Sequence, residues 1–463
     1  MRMRFYMTAI ALLGFVVIAN VGQASDDYAT FVNGGSVAST LDSLATTLDD
    51  QAEEIASLKS AMKNKVNTGS SASTMKVSGR VHADYWGYPS HNAPVEVLEG
   101  ENPQNKLGFR RIRFGVAGDL PGNMRYKIEM DWANPDTSAF KDVYLGWKDL
   151  PVLQTLLLGN QKRPYGLDHL NSSRFNVFVE RPFIIEAYNQ DARRFGLASY
   201  GVSENQAWNW RYGAYNSRDI SGNGNYVGDH GSIEFTGRLA STFWYDEASG
   251  GRGYGHFAIA GTMAEVDEGS NETRFRTRPE ARTSNRWLST GNIADADSYD
   301  MLALEGVLNF GPLQLVSEVQ NNWMTLNSGQ QVHTHGAYAY VSYFLTGEHM
   351  PWKRSSGTLD RIKPHEEFFL VRSCDGKTAR GIGAWQLAAR WSTANFADVN
   401  TIPGHAAANP TLGVLANSFT LGVNWYWTAN ARMQFNYING DITNGAGDVA
   451  EYEIIGSRFM VDF

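Results

Sequence analysis

The chain has 463 residues, 12% of them aromatic, with 46 glycines and a formal net charge of −8 at pH 7. This length admits two or three ordinary domains or one large β-architecture. The single cysteine, Cys374, excludes an internal disulfide and a cysteine-based metal cluster.

Residues 1–24 have the organisation of a secretory signal peptide. Arg2 and Arg4 precede the apolar run Ala9–Ala19, and Gly22-Gln23-Ala24 supplies a cleavage site of small residues. A membrane anchor is the alternative, but the run is shorter than the ~20 residues that a transmembrane helix needs. We therefore expect export and cleavage, and no transmembrane helix in the mature chain.

Residues 25–74 are predicted to form a linker and a coiled-coil helix that mediates oligomerisation. Seven apolar residues between Val37 and Met62 follow spacings of four and three, and Gln51 occupies one core position. Flexible sequences flank this seam at Asn33–Gly35 and Asn67–Thr74. An amphipathic helix packed on its own domain is the alternative.

From Met75 to Phe463 apolar and polar residues alternate with a period of two, which predicts β-strands. We count sixteen segments, an even number as a closed bacterial barrel requires: 75–86, 107–119, 123–132, 140–149, 153–161, 191–202, 206–216, 229–243, 254–265, 299–310, 312–323, 333–346, 381–393, 415–428, 430–441 and 449–463.

The connections favour a membrane barrel over a soluble sandwich or propeller, which would also alternate. Short connections such as 119–123 and 310–312 are interleaved with long ones such as 161–190 and 266–298. Short periplasmic turns and long outer loops have this rhythm. The fold class predicted is an all-β, 16-stranded antiparallel transmembrane β-barrel, preceded by the helical segment.

Several charged side chains are expected to face the lumen. Alternation places Arg111 and Arg113 on one face of strand 107–119, and Lys127, Glu129 and Asp131 on the same side of the next strand. We expect Arg113 to pair with Glu129 or Asp131 as a structural ladder. Arg111 lies nearer the loops and is a candidate for function.

The connection 161–190 is long and rich in aromatic residues, so we do not expect it to extend into water. Folding into the barrel would bury its rings and narrow the passage. Its cations Lys162, Arg163 and Arg174 are therefore candidates for a constriction.

Thr273–Trp287 concentrates arginine in an acidic chain. Arg274, Arg276 and Arg278 alternate, and Arg282 and Arg286 follow. An extended segment places alternate residues on one side, and the guanidinium fork suits phosphate or carboxylate. The alternative is a solvated loop whose charges face water.

The connection Thr346–Ala379 is long where strand parity predicts a short periplasmic turn. It carries Lys353, Arg354, Arg361 and Lys363 among other cations. Either it contains an additional strand pair, near Phe368–Ser373, or it enters the pore.

The chain resembles the phosphate-selective porin O and P family across nearly the whole barrel. The similarity is strongest in FRRIRFGVAGDLPGNMRYKIEMDWA (Phe109–Ala133), KDVYLGWKDLP (Lys141–Pro151), LGNQKRPYGLDHLNSSRF (Leu158–Phe175), SYFLTGEHMPWKRSSGTLDRIKP (Ser342–Pro364), AWQLAARWS (Ala384–Ser392) and LGVNWYW (Leu421–Trp427). These pieces are specific through their order and spacing rather than singly.

The resemblance implies a trimeric channel in which the third and fifth long loops and one periplasmic turn fold inward. Arg274, Arg276, Arg278 and Arg282 then look like rungs of an arginine ladder on the fifth loop, and Arg110 and Arg111 like rungs on the wall. Lys353, Arg354, Arg361 and Lys363 would occupy the inward turn. Several turn positions carry arginine where the family has lysine, so anion passage is implied more strongly than phosphate selectivity.

The predicted function is passive, anion-selective diffusion of phosphate or related oxyanions across the bacterial outer membrane. The alternatives are a general or sugar-conducting porin, with Tyr338, Tyr340 and Tyr426 as a stacking track, and an envelope tether that reaches the cell wall through the helix. We expect that the chain is not an enzyme and uses no cofactor, and that His333 and His335 bind no metal. The expected partners are a homotrimer of the chain itself, small anions and outer-membrane lipid, and no nucleic acid.

Overall fold

The computed structural model describes residues 65–67, 73–136, 138–189, 193–217, 232–266, 274–293, 295–372 and 378–463. The predicted signal peptide and the seam from Val37 to Met62 lie outside these residues. No helix in the described ranges is long and apolar enough to cross a bilayer.

Sixteen antiparallel strands form the wall of the molecule. They are β1 (Thr74–His91), β2 (Lys106–Leu120), β3 (Met124–Asp131), β4 (Ala139–Leu150), β5 (Gln154–Gln161), β6 (Arg194–Val202), β7 (Trp208–Asn216), β8 (Ile233–Tyr245), β9 (Gly253–Glu265), β10 (Ala296–Phe310), β11 (Leu313–Leu326), β12 (Gln331–Phe344), β13 (Ala384–Asn395), β14 (Gly413–Tyr426), β15 (Ala431–Asn444) and β16 (Val449–Asp462). Each strand pairs with the next, and a short strand at Lys65–Asn67 pairs with the start of β1.

Pairing of β16 with β1 closes the barrel. Arg80 lies opposite Asp462, and the main chains of Gly79 and Phe463 exchange hydrogen bonds of 2.9 and 3.1 Å. Closure provides hydrogen-bond partners for the backbone N–H and C=O groups of the first and last strands. Unpaired strand edges are not stable in the interior of a lipid bilayer. The predicted sixteen-stranded barrel is confirmed.

The alternation read from the sequence separates the two faces of the wall. On β14, Phe419 and Leu421 are 46% and 48% exposed on the outside, whereas Thr420 and Asn424 on the inside are fully buried. The inward side chains are buried because loops fill the lumen.

Long connections lie at the loop end of the barrel, and the one after β5 enters the lumen. They contain α1 (Ala93–Glu99), α2 (Leu167–Leu170), α3 (Phe183–Tyr188), a 3₁₀ turn at Ala397–Thr401 and α4 (His405–Ala408). Phe183, Ile184 and Ile185 are at most 1% exposed, and Val179 donates its N–H to Asn436 on β15 at 2.7 Å. The predicted inward folding of the connection after β5 is confirmed.

The long connection between β12 and β13 combines both arrangements that the sequence left open. Its first half enters the lumen from the turn end, where Tyr254 donates to the carbonyl of Met350 at 2.9 Å and Leu359 N–H donates to Asn171 at 3.0 Å. Its second half forms a hairpin, Phe369–Arg372 with Thr378–Gly381, that is separate from the barrel sheet.

Two buried carboxylates fix the connection between β9 and β10. Glu280 accepts hydrogen bonds from Arg390 at 2.6 Å, Ser418 at 2.9 Å and the N–H of Phe183 at 3.2 Å. On the other flank, Glu99 accepts from the N–H of Ser284 at 2.6 Å, among other donors. Although burial opposes ionisation, these hydrogen bonds hold the pKa of Glu99 below its ordinary value.

We expect Glu280→Ala to lower the free energy of unfolding by about 3–5 kcal/mol, because Arg390, 2% exposed, would lose its carboxylate. Glu280→Gln, which keeps the volume and part of the hydrogen bonding, should cost less. Urea unfolding of the barrel in phospholipid bilayers measures both. Glu247→Ala, whose carboxylate is 74% exposed, is the control and should cost under about 1 kcal/mol. An unfolding midpoint for Glu280→Ala equal to that of the control would contradict the anchoring role.

Candidate functional site

A cleft of about 410 Å³ opens at the loop end of the barrel, and Arg274, Arg276 and Arg286 line it. Its described lining also includes Asn285 and Asn409, with no Asp or Glu. Three guanidinium groups among neutral donors form a site suited to an anion.

The local fold presents Arg274 and Arg276 as the sequence pattern predicts. Arg276–Thr277 pairs antiparallel with Leu288–Ser289, and alternation buries Phe275 and Thr277 at 4% and 1% exposure. The ring of Phe275 packs edge-on against Tyr188 and Tyr299, each at 5.5 Å. Burial of Phe275 and Thr277 thereby turns the alternating residues Arg274 and Arg276 toward the cleft.

Arg278, which does not line the cleft, is held by Glu186. Glu186 accepts from the main-chain N–H of Arg278 at 3.2 Å and from its guanidinium at 3.1 Å, and Arg286 lies 3.9 Å from the same carboxylate. Glu186 therefore positions two arginines and compensates part of their charge. Glu186 is so far from Arg278 and Arg286 in the chain that the sequence pattern did not predict this contact.

Arg282 extends the row of cations inward. In the described part of the chain, its guanidinium makes no hydrogen bond or ion pair. The neighbouring guanidinium of Arg110, together with burial, lowers the pKa of Arg282 to about 10. Burial and the charges of Arg286 and Arg274 likewise lower the pKa of Arg276 to about 10. Both groups stay charged at neutral pH, so the shifts mark positive potential that an anion would relieve.

A β-bulge brings Arg110 and Arg111 to the lumen together. His82 pairs with Arg111 and Ala83 with Phe109, which leaves Arg110 unpaired between them. Strict alternation would have placed the two arginines on opposite faces. Instead Arg110 donates to Glu180 at 2.6 and 3.2 Å, and Arg111 is 4% exposed beside His82.

Deeper in the barrel, wall cations are paired with carboxylates. Arg113 donates to Asp131 at 2.7 Å and lies 3.4 Å from Glu129, as the structural-ladder interpretation predicted. Arg458, which the sequence analysis did not single out, contacts both Asp84 at 2.6 Å and Glu180 at 2.7 Å. Glu180 thus joins the loop to two strands.

Two of the cations proposed for the constriction, Lys162 and Arg163, are bonded to other groups of the protein. Lys162 donates to the carbonyl groups of three successive residues, His169, Leu170 and Asn171, at 2.6, 3.1 and 3.0 Å. These bonds use all three of its donors. Arg163, 3% exposed, pairs with Glu234 at 2.6 Å.

Cations of the inward turn lie at the opposite end of the barrel. Lys353 and Lys363 are exposed, and Arg354 pairs with Glu247. Arg361 and Arg174 share Asp462, with Arg174 at 2.8 Å. The site residues named from the sequence therefore divide between the loop end, the wall and the turn end.

Similarity to known proteins agrees with this architecture. The family model described as phosphate-selective porin O and P matches residues 75–463. Porin O of Pseudomonas aeruginosa is 23% identical over 435 residues, covering 87% of this chain and 91% of its own. An uncharacterised protein of Caulobacter vibrioides is 24% identical over 407 residues, covering 84% of this chain and 74% of its own.

Among solved structures, the outer membrane channel DcaP of Acinetobacter baumannii shares the fold, with a TM-score of 0.50 and 10% identity over 86% of this chain and 99% of its own. The family and the fold indicate a channel rather than an enzyme and support an outer-membrane location. The match over the whole barrel shows that the chain belongs to the phosphate-selective porin O and P family.

Proposed function

We propose that the barrel is a passive, anion-selective channel for phosphate or related oxyanions. The observation that carries this proposal is the cleft lined by Arg274, Arg276 and Arg286, followed inward by Arg282 and Arg110. A cleft with one sign of charge and low-dielectric walls concentrates counter-ions. The name of the family and the similarity to Porin O support phosphate as the anion.

The anion would pass from one arginine to the next, and these arginines differ in how many of their N–H donors are already bonded to protein groups. The cleft captures the anion, and Arg282 offers donors that no described residue uses. Glu186 and Glu180 hold Arg278 and Arg110 at 3.1 and 2.6 Å, so they compete with the anion and keep binding weak enough for release. Arg111 extends the positive row along the wall.

At the turn end, the proposed exit is flanked by Lys353, Arg354, Arg361 and Lys363. Lys162, Arg163 and Arg174 contribute positive charge from the inward loop while fixing its shape. Assembly as a homotrimer in the outer membrane belongs to the same proposal and rests on the family resemblance. Removal of residues 1–24 belongs to it as well and rests on the signal-peptide pattern of the sequence.

A sugar-conducting porin is less well supported. Tyr338 and Tyr426 are 2% and 4% exposed and donate their hydroxyl groups to Glu318 at 2.9 Å and Gln386 at 3.1 Å. Rings covered in this way fill the lumen and offer no open face on which a sugar could stack.

Neutralising the cleft should reduce anion preference. We expect Arg274→Gln, Arg276→Gln and Arg286→Gln together to lower the anion-to-cation permeability ratio by about tenfold, since a focused potential accounts for at least that enrichment. The reversal potential across a potassium chloride gradient in a planar bilayer measures the ratio. The charge-matched control is the triple variant Arg125→Gln, Lys148→Gln and Arg252→Gln, which neutralises three cations near the turn end. An equal shift in both triple variants, or none in either, would argue against the cleft.

Arg282 should determine phosphate affinity more than bulk selectivity. In Arg282→Gln, the phosphate concentration that halves the chloride current should rise roughly tenfold, because a charge-assisted, bidentate contact is lost. Arg282→Lys keeps the charge without the fork and should give an intermediate value. Arg252→Gln is the control. Identical block in Arg282→Gln and the unaltered protein would leave an anion channel without an oxyanion site at this residue.

A further inference from the structure

The connection between β12 and β13 leaves the lumen and packs on the outside of the barrel. Phe368 donates its N–H to the carbonyl of Trp427 at 2.7 Å, and its ring lies 4.5 Å from that of Trp425. Trp425 shares the outward face of β14 with the exposed Leu421, and the ring of Trp427 lies 5.4 Å from the outward Phe459. The hairpin that begins at Phe369 therefore starts against the lipid-facing wall.

A tryptophan cluster marks this part of the wall as the membrane interface. Trp385 and Trp425 stack at 5.0 Å, and their indole N–H groups both donate to the carbonyl of Ile382, at 3.2 and 2.8 Å. Tryptophan is enriched where barrel walls meet lipid headgroups. Gly383, with φ of +70°, provides the turn over the rim, since a Cβ there would lie 2.3 Å from the carbonyl oxygen of Tyr426.

The hairpin and the residue after it expose large apolar side chains, which are unfavourable in contact with water. Phe369 and Leu370 are each 59% exposed, and Ile382 is 61% exposed. Phe369 adopts a φ of +79°, an unfavourable conformation for a bulky residue. Arg380, also exposed, lies directly opposite Leu370 in the hairpin. An apolar patch at the base of the hairpin, beside a long cationic side chain, is the pattern of an interfacial membrane contact.

We propose that this hairpin is a lipid anchor in the phospholipid leaflet at the turn end of the barrel. Phe369, Leu370 and Ile382 enter the boundary between headgroups and acyl chains, and Arg380 reaches a lipid phosphate. Phospholipid is the occupant because this apolar patch at the base of the hairpin continues the tryptophan-rich, lipid-facing surface. The same connection supplies the segment inside the lumen, so the anchor ties that pore element to the bilayer.

Site-directed spin labelling tests the placement. In the full chain with Cys374→Ser, a nitroxide is attached at Leu370→Cys, and the protein is reconstituted into phosphatidylethanolamine–phosphatidylglycerol bilayers. Power saturation compares the collision rates of the label with oxygen and with a water-soluble nickel chelate. Leu387→Cys, 43% exposed on the outer face of β13, is the lipid reference, and Val152→Cys, 89% exposed at a turn, is the water reference.

We expect the oxygen-to-nickel ratio at residue 370 to approach that at residue 387 and to exceed that at residue 152. A ratio equal to that at residue 152 would place the hairpin in the periplasm and overturn the proposal. Low accessibility to both reagents, with dipolar broadening between labels, would overturn it in favour of contact between copies of the chain. Because the substituted side chain is exposed, folding of the variant is not in question.

Discussion

Charge inside a lipid-embedded barrel has to be compensated, because a guanidinium removed from water is costly unless a carboxylate, a carbonyl group or an open aqueous passage replaces its solvation. This constraint orders the lumen. Deep wall arginines such as Arg113 and Arg458 have carboxylate partners, and Lys162 is surrounded by carbonyl groups. Arg274 and Arg276, in contrast, line the water-accessible cleft at the loop end.

The loops make this division possible because they fill a wide barrel and leave a cleft at its loop end. The side chains of Phe183, Ile184 and Ile185 belong to a hydrophobic core inside the lumen, and this core excludes water. Glu280 and Glu99 then fix the arginine-bearing segment on its two flanks. The position of the cleft arginines therefore depends on carboxylates that do not line the cleft.

Strand alternation was sufficient to predict the barrel, since Phe419 and Thr420 differ in environment only through the period of two. It failed at Arg110, because a bulge depends on register with a neighbouring strand and leaves no local signature. The pairing of Glu186 with Arg278, and of Glu280 with Arg390, joins residues 92 and 110 positions apart, which single-sequence patterns do not encode. The connection between β12 and β13 was recognised as anomalous by its length, but its two halves lie in different environments that composition could not separate.

Asp462 lies on β16, the strand that closes the barrel, and it forms an ion pair with Arg174 of the inward loop and accepts hydrogen bonds from Arg361 of the inward turn. Neither contact can form before β16 is in place. Docking of the inward loop and the inward turn on Asp462 therefore requires a completed wall, which depends on pairing between the most distant parts of the chain. A barrel inserted without its last strand would lack an orderly channel as well as a closed wall.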